Sequence, residues 1–538
     1  MQANFDYIVV GGGSAGCVVA ARLSEEPGVT VCLLEAGAPD NSAFVQCPSG
    51  VAVVVPYPVY NWAFQTKPNP GLNGRIGYQP RGKGMGGSSS INAMMYIRGD
   101  KSDYDRWAAQ GNPGWSYAEV LPYFKKSENN ETFGDSEYHG AGGPLNVAEV
   151  MEPSAFSHAY VEAAIQAGHA RNRDFNGANL EGVGLTQVSQ KDGERCSAAK
   201  AYITPNLGRP NLKVITRAHT TRILLEGKRA VGVEYRDAGG KAHRLHAARE
   251  VILAAGAFQS PQLLMLSGIG PKEELQKHGI TVAHDLPGVG QNLQDHVDIV
   301  HSYEVGATRE LIGLSLSGAW RILRGIFAWP RRRGPLTSNF AEGTGFIKTA
   351  PGEAVPDIQL VFVIAKLMNH GRDIVLGNGF SMHAYLLRPK SRGSVSLASG
   401  DPLAPPAIDT NFLAEQDDLD RLVRALKMVR TIARQPALKA LWKCESKRSA
   451  HAQTDAEIAE LIRNRADSVY HPIGTCKMGP ASDAMAVVDH ELRVKGISSL
   501  RVVDASIMPD LVSGNTNAPA IMIGEKAADM IKAARQQA

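Results

Sequence analysis

The chain has 538 residues, with 57 Lys and Arg against 53 Asp and Glu, a formal charge of +4. That near-balance excludes a polyanion binder driven by bulk charge, and no nucleic-acid partner is expected. Apolar residues make up 43% and charged residues 20%, the composition of a globular protein of about two to four domains. Residues 5–10 (FDYIVV) predict a buried strand, 11–16 (GGGSAG) a glycine loop, and CVVAARLSEE a helix; TVCLLEAG (30–37) follows as a second strand. This opening is a βαβ unit of the doubly wound type. Residues 38–80, rich in Pro, Asn and aromatics, show no periodicity and read as a long surface excursion before RGKGMGGSSSIN (81–92). From 210 to 256 the chain is strand-rich (LKVIT, TRILLE, RAVGVEY, EVILAAGA), and a helix is expected from Pro261, broken at Ser267-Gly268.

Between 300 and 465 the character changes. A basic, aromatic stretch (316–333) and an alternating segment, FSMHAYLL (380–387), precede an amphipathic helix carrying Leu419, Leu422, Val423, Leu426, Val429 and Ile432. The end returns to βα grammar, with LRVVDAS (500–506), a polar loop and a helix from about Pro519. The six cysteines (17, 32, 47, 196, 444, 476) hold no CxxC pair and no zinc spacing, so no metal is expected. Such scattered usage suits a reducing compartment, and a cytoplasmic location is expected. No apolar run approaches the ~20 residues of a transmembrane helix, and with a strand pattern beginning by Phe5 no signal peptide is expected.

Gly11-x-Gly13-x-x-Gly16 lies between a predicted strand and helix, the context in which this pattern binds a dinucleotide. The first glycine permits a tight turn, the second lets backbone approach a pyrophosphate, and the third allows helix–strand packing. Glu35 closes the second strand 19 residues after Gly16, where an acid takes both adenosine ribose hydroxyls and disfavours a 2′-phosphate. The same loop also spells Gly12-x-Ser14-x-Gly16, the form of a hydrolase nucleophile elbow. A serine hydrolase would give Glu35 no role and would place its elbow after the first strand of the chain. Residues 81–92 alone also fit a flexible linker.

Longer motifs name a family. The stretch 82–96 (GKGMGGSSSINAMMY), the stretch 256–270 (GAFQSPQLLMLSGIG), Tyr470-His471-Pro472, Val503-Asp504-Ala505-Ser506 and Gly514-Asn515-Thr516-Asn517 resemble, in order, the signatures of the glucose–methanol–choline oxidoreductases. The resemblance implies an α/β fold: a doubly wound, Rossmann-like FAD-binding domain with an inserted α+β substrate domain on an antiparallel sheet. The expected boundaries are 1–150, 190–299 and 468–538 for the first, and 151–189 and 300–467 for the second. It implies FAD held by Gly11, Gly13, Ser14, Ala15, Gly16, Glu35, Ala36, Met85, Gly87, Ser88, Asn92, Ala93, Met94, Met95, Thr220, Ala255, Gly256, Asp504, Ala505, Asn515 and Thr516. Ile91 stands where some members carry a histidine bonded to the flavin; isoleucine makes no such bond, so the FAD is expected to be non-covalent. The resemblance makes His471 the base that takes a hydroxyl proton while hydride goes to the flavin, a task suited to an imidazole. Asn515 would hydrogen-bond the developing alkoxide. Asp504 also fits a plain strand-end cap, and Cys476 a buried, inert thiol rather than a nucleophile.

The expected reaction is oxidation of a primary alcohol to the aldehyde, with electrons passed to a quinone or another acceptor. Choline is the alternative substrate; a flavin lyase or decarboxylase is the alternative from another class. Trp62 and Tyr470 are candidate pocket walls, and Glu342 is either a cation-holding acid or a structural one. In residues 316–333, Trp320, Ile322, Leu323, Ile326, Phe327 and Trp329 alternate with Arg321, Arg324, Arg331, Arg332 and Arg333. That pattern fits either a peripheral membrane contact on the inner face or a helix packed on its own domain.

Overall fold

Five parallel strands lie side by side, and the carboxyl ends of four of them carry motifs just described. A computed structural model describes residues 3–313, 315–373 and 375–537. Ala3–Val10 pairs in parallel with Val31–Leu34 on one side and Ala242–Leu253 on the other. Leu212–Ile215 extends the sheet beyond Val31–Leu34, and Leu500–Val502 pairs in parallel with the end of Ala242–Leu253. An antiparallel ribbon, His219–Glu226 and Arg229–Arg236, completes this sheet. The strands are continuous apolar runs because helices cover the sheet: Ser14–Leu23 packs on it, and the C-terminal Asn517–Gln537 packs on that helix. Ligands of open α/β sheets bind outside the carboxyl ends of their strands. Here Gly11, Glu35, Ala255 and Asp504 stand there together.

The second sheet runs Cys444–Glu445, Val297–Val305, Asn378–Leu386, Ile358–Val363, Ala341–Ile347, Gly182–Leu185, antiparallel throughout. Its faces divide by the period of two. Ile299, Leu360, Phe362, Met382 and Ala384 enter a core with helix Gln416–Ala433, while Asp298, Val300, Val361, Val363, His383 and Tyr385 line a cavity.

Three expectations change. Strand Val297–Val305 straddles the expected boundary at 299/300, because one continuous strand begins the second sheet. Residues 38–80 are not a surface excursion. Phe64–Asn69 and Arg75–Gln79 form a hairpin that joins Ala407–Asp409, with Asn61, Tyr78 and Gln79 buried. A register shift between Gln65 and Pro68 breaks the alternation that would have revealed it. Finally, the helix expected from Pro261 spans Gly256–Leu266. Proline inside a helix leaves the carbonyl four residues earlier without its donor, and here the Thr475 hydroxyl donates to that Ala257 carbonyl at 2.6 Å.

Candidate active site

A single cavity of about 1090 Å³ runs from the strand ends to the second sheet. That is at or above the ~300–1,000 Å³ of ordinary ligand pockets, which suits a dinucleotide with space left for a small substrate. At one end lie Gly11, Gly13, Ser14, Ala15, Glu35, Ala36 and Thr220; Gly87, Ser88, Asn92, Ala93, Met94, Met95, Ala255, Gly256, Asp504, Ala505 and Thr516 line its length. Helix Ser14–Leu23 starts at Gly13 with no side-chain cap and no acid in its first turn, so its amides and positive dipole end face the cavity. Gly87 shows why small residues are needed. With φ +53°, it passes so close to Gly13 that a Cβ would lie 2.7 Å from the Gly13 Cα.

Glu35 is buried, and its carboxylate accepts the amides of Gly12 at 3.0 Å and Gly37 at 2.7 Å. Burial raises its pKa to about 7, against those hydrogen bonds. Asp504 both caps and lines. It accepts the Ser506 and Gly256 amides and the Ser260 hydroxyl. Two residues expected at the cofactor do not reach the cavity wall. Gly16 serves packing, since a Cβ there would meet the Gly11 carbonyl oxygen at 2.0 Å, and Met85 is buried against Gly12. The Ser14 hydroxyl donates to the Asn517 side-chain oxygen at 2.7 Å, with no imidazole to activate it as a hydrolase nucleophile would require. Burial pushes the Cys476 thiol well above its ordinary pKa, which removes it as a thiolate.

At the other end His471 and Asn515 meet, with Nε2 and Nδ2 3.1 Å apart. Tyr470 turns the histidine inward with φ +76°, unfavourable for an aromatic residue. It is held there by Arg81 on its carbonyl, Ser468 on its amide and His370 on its hydroxyl. The His471 amide donates to buried Asp295 at 2.8 Å. Burial raises the Asp295 pKa to about 6.

The hydrogen-bond network assigns the protons on the histidines. His296 Nε2 faces two carbonyl oxygens, Leu387 at 3.2 Å and Val512 at 3.1 Å, so it carries the hydrogen. Burial lowers the His296 pKa to about 3, keeping the ring neutral and its Nδ1 a lone pair. That lone pair lies 2.9 Å from His471 Nδ1, which therefore donates. His471 is left with an unprotonated Nε2 facing Asn515 and the cavity. Burial first, and then the Arg81 charge, hold His471 well below the ordinary histidine pKa. Gln359 approaches Asn515 Oδ1 at 3.5 Å, leaving Nδ2 as the donor towards the reacting position.

Glu342 is nowhere on the cavity wall. Fully buried, it accepts the Ser154 amide and the hydroxyls of Ser157 and Ser338, which makes it the structural acid of the two readings. Glu342→Ala is therefore expected to lose about 1–3 kcal/mol of stability, seen as a lower thermal midpoint, with the KM for choline unchanged. Trp62 does line the cavity, beside His219 and Lys83 near Thr220. His296, Asp295, Arg81 and Gln359 were not singled out from the sequence. The acid–histidine pair in GVGQNLQDH (288–296) is the one local signal that pointed to them.

The GMC oxidoreductase N-terminal sequence model matches residues 5–298 and the C-terminal one residues 389–524. The chain is a GMC oxidoreductase. It is 46% identical to an alcohol dehydrogenase [acceptor] of Pseudomonas putida, covering 98% of this chain and 95% of that one. To the mitochondrial choline dehydrogenase of Homo sapiens it is 44% identical, over 98% and 90%. Among solved structures, pyridoxine 4-oxidase from Mesorbium loti has 31% identity and a TM-score of 0.87 over 98% of this chain and 99% of that one. Formate oxidase has 28% identity and a TM-score of 0.90 over 100% and 99%. The cofactor of this GMC oxidoreductase is FAD. The cradle fits it: free helix amides would take the pyrophosphate, the buried Glu35 carboxyl would take the ribose, and the glycine–serine wall would face the flavin. Glu35→Ala is expected to weaken FAD binding roughly 10- to 100-fold, the worth of hydrogen bonds to a charged group. Titrating apoprotein with FAD and following flavin fluorescence checks this.

Proposed function

We propose that this GMC oxidoreductase oxidises an uncharged primary alcohol to the aldehyde. The supporting observation is His471 Nε2, bare of hydrogen, standing 3.1 Å from the Asn515 amide at the substrate end of the cavity. His471 takes the hydroxyl proton at Nε2, and the Asn515 Nδ2–H donates to the oxygen as negative charge develops on it. Bound FAD supplies the hydride acceptor. The walls around this end, Phe340, Val361, Val363, Ala365 and Val469, are apolar and exclude water from the alkoxide.

Choline is a second reading, favoured by the human relative and by Asp298. This carboxylate lines the cavity, with Oδ2 2.5 Å from His383 and Oδ1 buried without a hydrogen-bond partner among the described residues. The relative's name supports passing the electrons to a separate acceptor, which we take to be a quinone or similar oxidant. Six free thiols, five of them buried, support a cytoplasmic setting. The test is anaerobic bleaching of the flavin over a panel of alcohols that includes choline, followed by oxygen or a quinone. Rapid bleaching by uncharged primary alcohols is expected. Bleaching by choline alone would replace the first reading with the second, and no bleaching would point to a lyase.

A further inference from the structure

Helix Leu316–Ala328 is turned inside out. An ordinary surface helix buries its apolar stripe and shows its polar side. Here Gly318, Ile322 and Gly325, at i, i+4 and i+7, face the protein, while Leu316, Trp320, Leu323 and Phe327, at i, i+4, i+7 and i+11, face outward. Exposure is 45% at Trp320, 52% at Leu323, 55% at Ile326 and 71% at Phe327. The glycines force this choice. A Cβ on Gly325 would lie 2.6 Å from the Leu336 side chain, and one on Gly318 would overlap the Gly313 carbonyl. The helix therefore sits close against the body by its smallest residues, and its bulkiest ones are left largely exposed.

The stripe continues around the mouth of the active-site cavity. Ile312 and Ile322 line the cavity, and so do residues of the segments carrying exposed Tyr57 and Leu376. Pro56 approaches Gly371, and Gly313 approaches Gly377, so the three segments form one rim. Arginines surround that rim. Arg309 lies over the Trp320 ring at 4.5 Å, and Arg324, Arg331 and Arg333 are exposed without a carboxylate partner among the described residues. Of the acids at this face, Glu310 is directed to the Ala155 amide, and Asp373, exposed on the rim, accepts from the Asn369 side-chain amide. No described helix is long and apolar enough to cross a membrane.

We propose that this rim is a docking surface for an anionic lipid bilayer, with the helix lying in the interface and the arginines on the headgroups. Apolar side chains a turn apart, flanked by cations, bind such a surface by burial in the acyl boundary together with attraction to acidic lipid. Resting on the alcohol-oxidising reading, docking sets the cavity mouth against the bilayer, so alcohols dissolved in lipid enter without crossing water.

The holoenzyme is to be floated with vesicles of phosphatidylcholine, with and without phosphatidylglycerol. Binding to the anionic vesicles is expected, with little to the neutral ones. The Trp320→Ser, Leu323→Ser, Phe327→Ser triple variant should bind roughly tenfold or more weakly. The Arg324→Glu, Arg331→Glu, Arg333→Glu variant should lose the preference for acidic lipid. Both should keep wild-type turnover of a short, water-soluble alcohol with a soluble dye, since none of the six side chains lines the cavity. Failure of the wild type to float, or unchanged binding by the triple variant, overturns the proposal. So does a dimer in light scattering that the apolar substitutions dissociate, which would make the rim a contact between copies. Flotation reads docking and the dye assay reads alcohol turnover, so failure of one is distinguishable from failure of the other.

Discussion

Replacing His471 by alanine is expected to slow reduction of the flavin by alcohol by about two orders of magnitude or more, with flavin content unchanged. The reacting hydroxyl has one nearby lone pair positioned to take its proton, His471 Nε2, and alanine leaves Asn515 as a donor with no base opposite. Anaerobic stopped-flow measurement of flavin bleaching separates this loss from any change in binding. Rates within a few-fold of wild type would reject the assignment. The pH dependence carries the same argument. An imidazole works as a base only when neutral, and burial and the Arg81 charge lower its pKa well below the ordinary histidine value. The reduction rate should therefore stay on its plateau as pH falls through the usual histidine range near 6.5. It should decline only as pH reaches the lowered pKa.

His296→Ala is expected to cost roughly 10- to 100-fold in the same rate, although His296 does not line the cavity. It is a positioning residue. Its Nδ1 lone pair gives the His471 Nδ1 hydrogen its acceptor and so keeps the hydrogen off Nε2. Without it, the proton is no longer held on Nδ1, and the tautomer with hydrogen on Nε2 presents a donor where a base is required. His296→Gln tests this against a merely structural role, because an amide offers both an acceptor for His471 and a donor for the Leu387 and Val512 carbonyls. Glutamine should restore much of the rate and alanine should not. Alanine should also move the acidic limb of the pH profile upward, because the ring would then be less buried. Equal losses in both variants, with an unmoved profile, would count against tautomer control.

Much of the site was legible because its chemistry is written in local runs. Gly11, Gly13 and Gly16 between strand and helix, Glu35 at the next strand end, and the motifs at 82–96 and 470–472 each carry their signal within a few residues. The structure brings most of them onto one cavity because parallel strands align their carboxyl ends. Partners far apart in the chain were not legible. His296 and His471 are 175 residues apart, and nothing in either neighbourhood says that the rings meet. Glu342 reads as an available acid until the fold surrounds it with Ser154, Ser157 and Ser338.

The stretch 316–333 marks the dividing line most clearly. Its composition and spacing determine a helix with one apolar and one basic side, since a period of 3.6 residues is a local property. Which side faces the body is decided by close packing. Glycines at 318 and 325 let the helix approach Gly313 and Leu336, and side chains opposite them are carried outward. The same holds for the whole enzyme. The sequence by itself determined the family and the cofactor and offered His471 as the candidate base, each resting on residues within short local motifs. The tertiary structure decided which nitrogen of that base is free, which acids are structural and which apolar face is bare, because each depends on neighbours the chain supplies from hundreds of residues away.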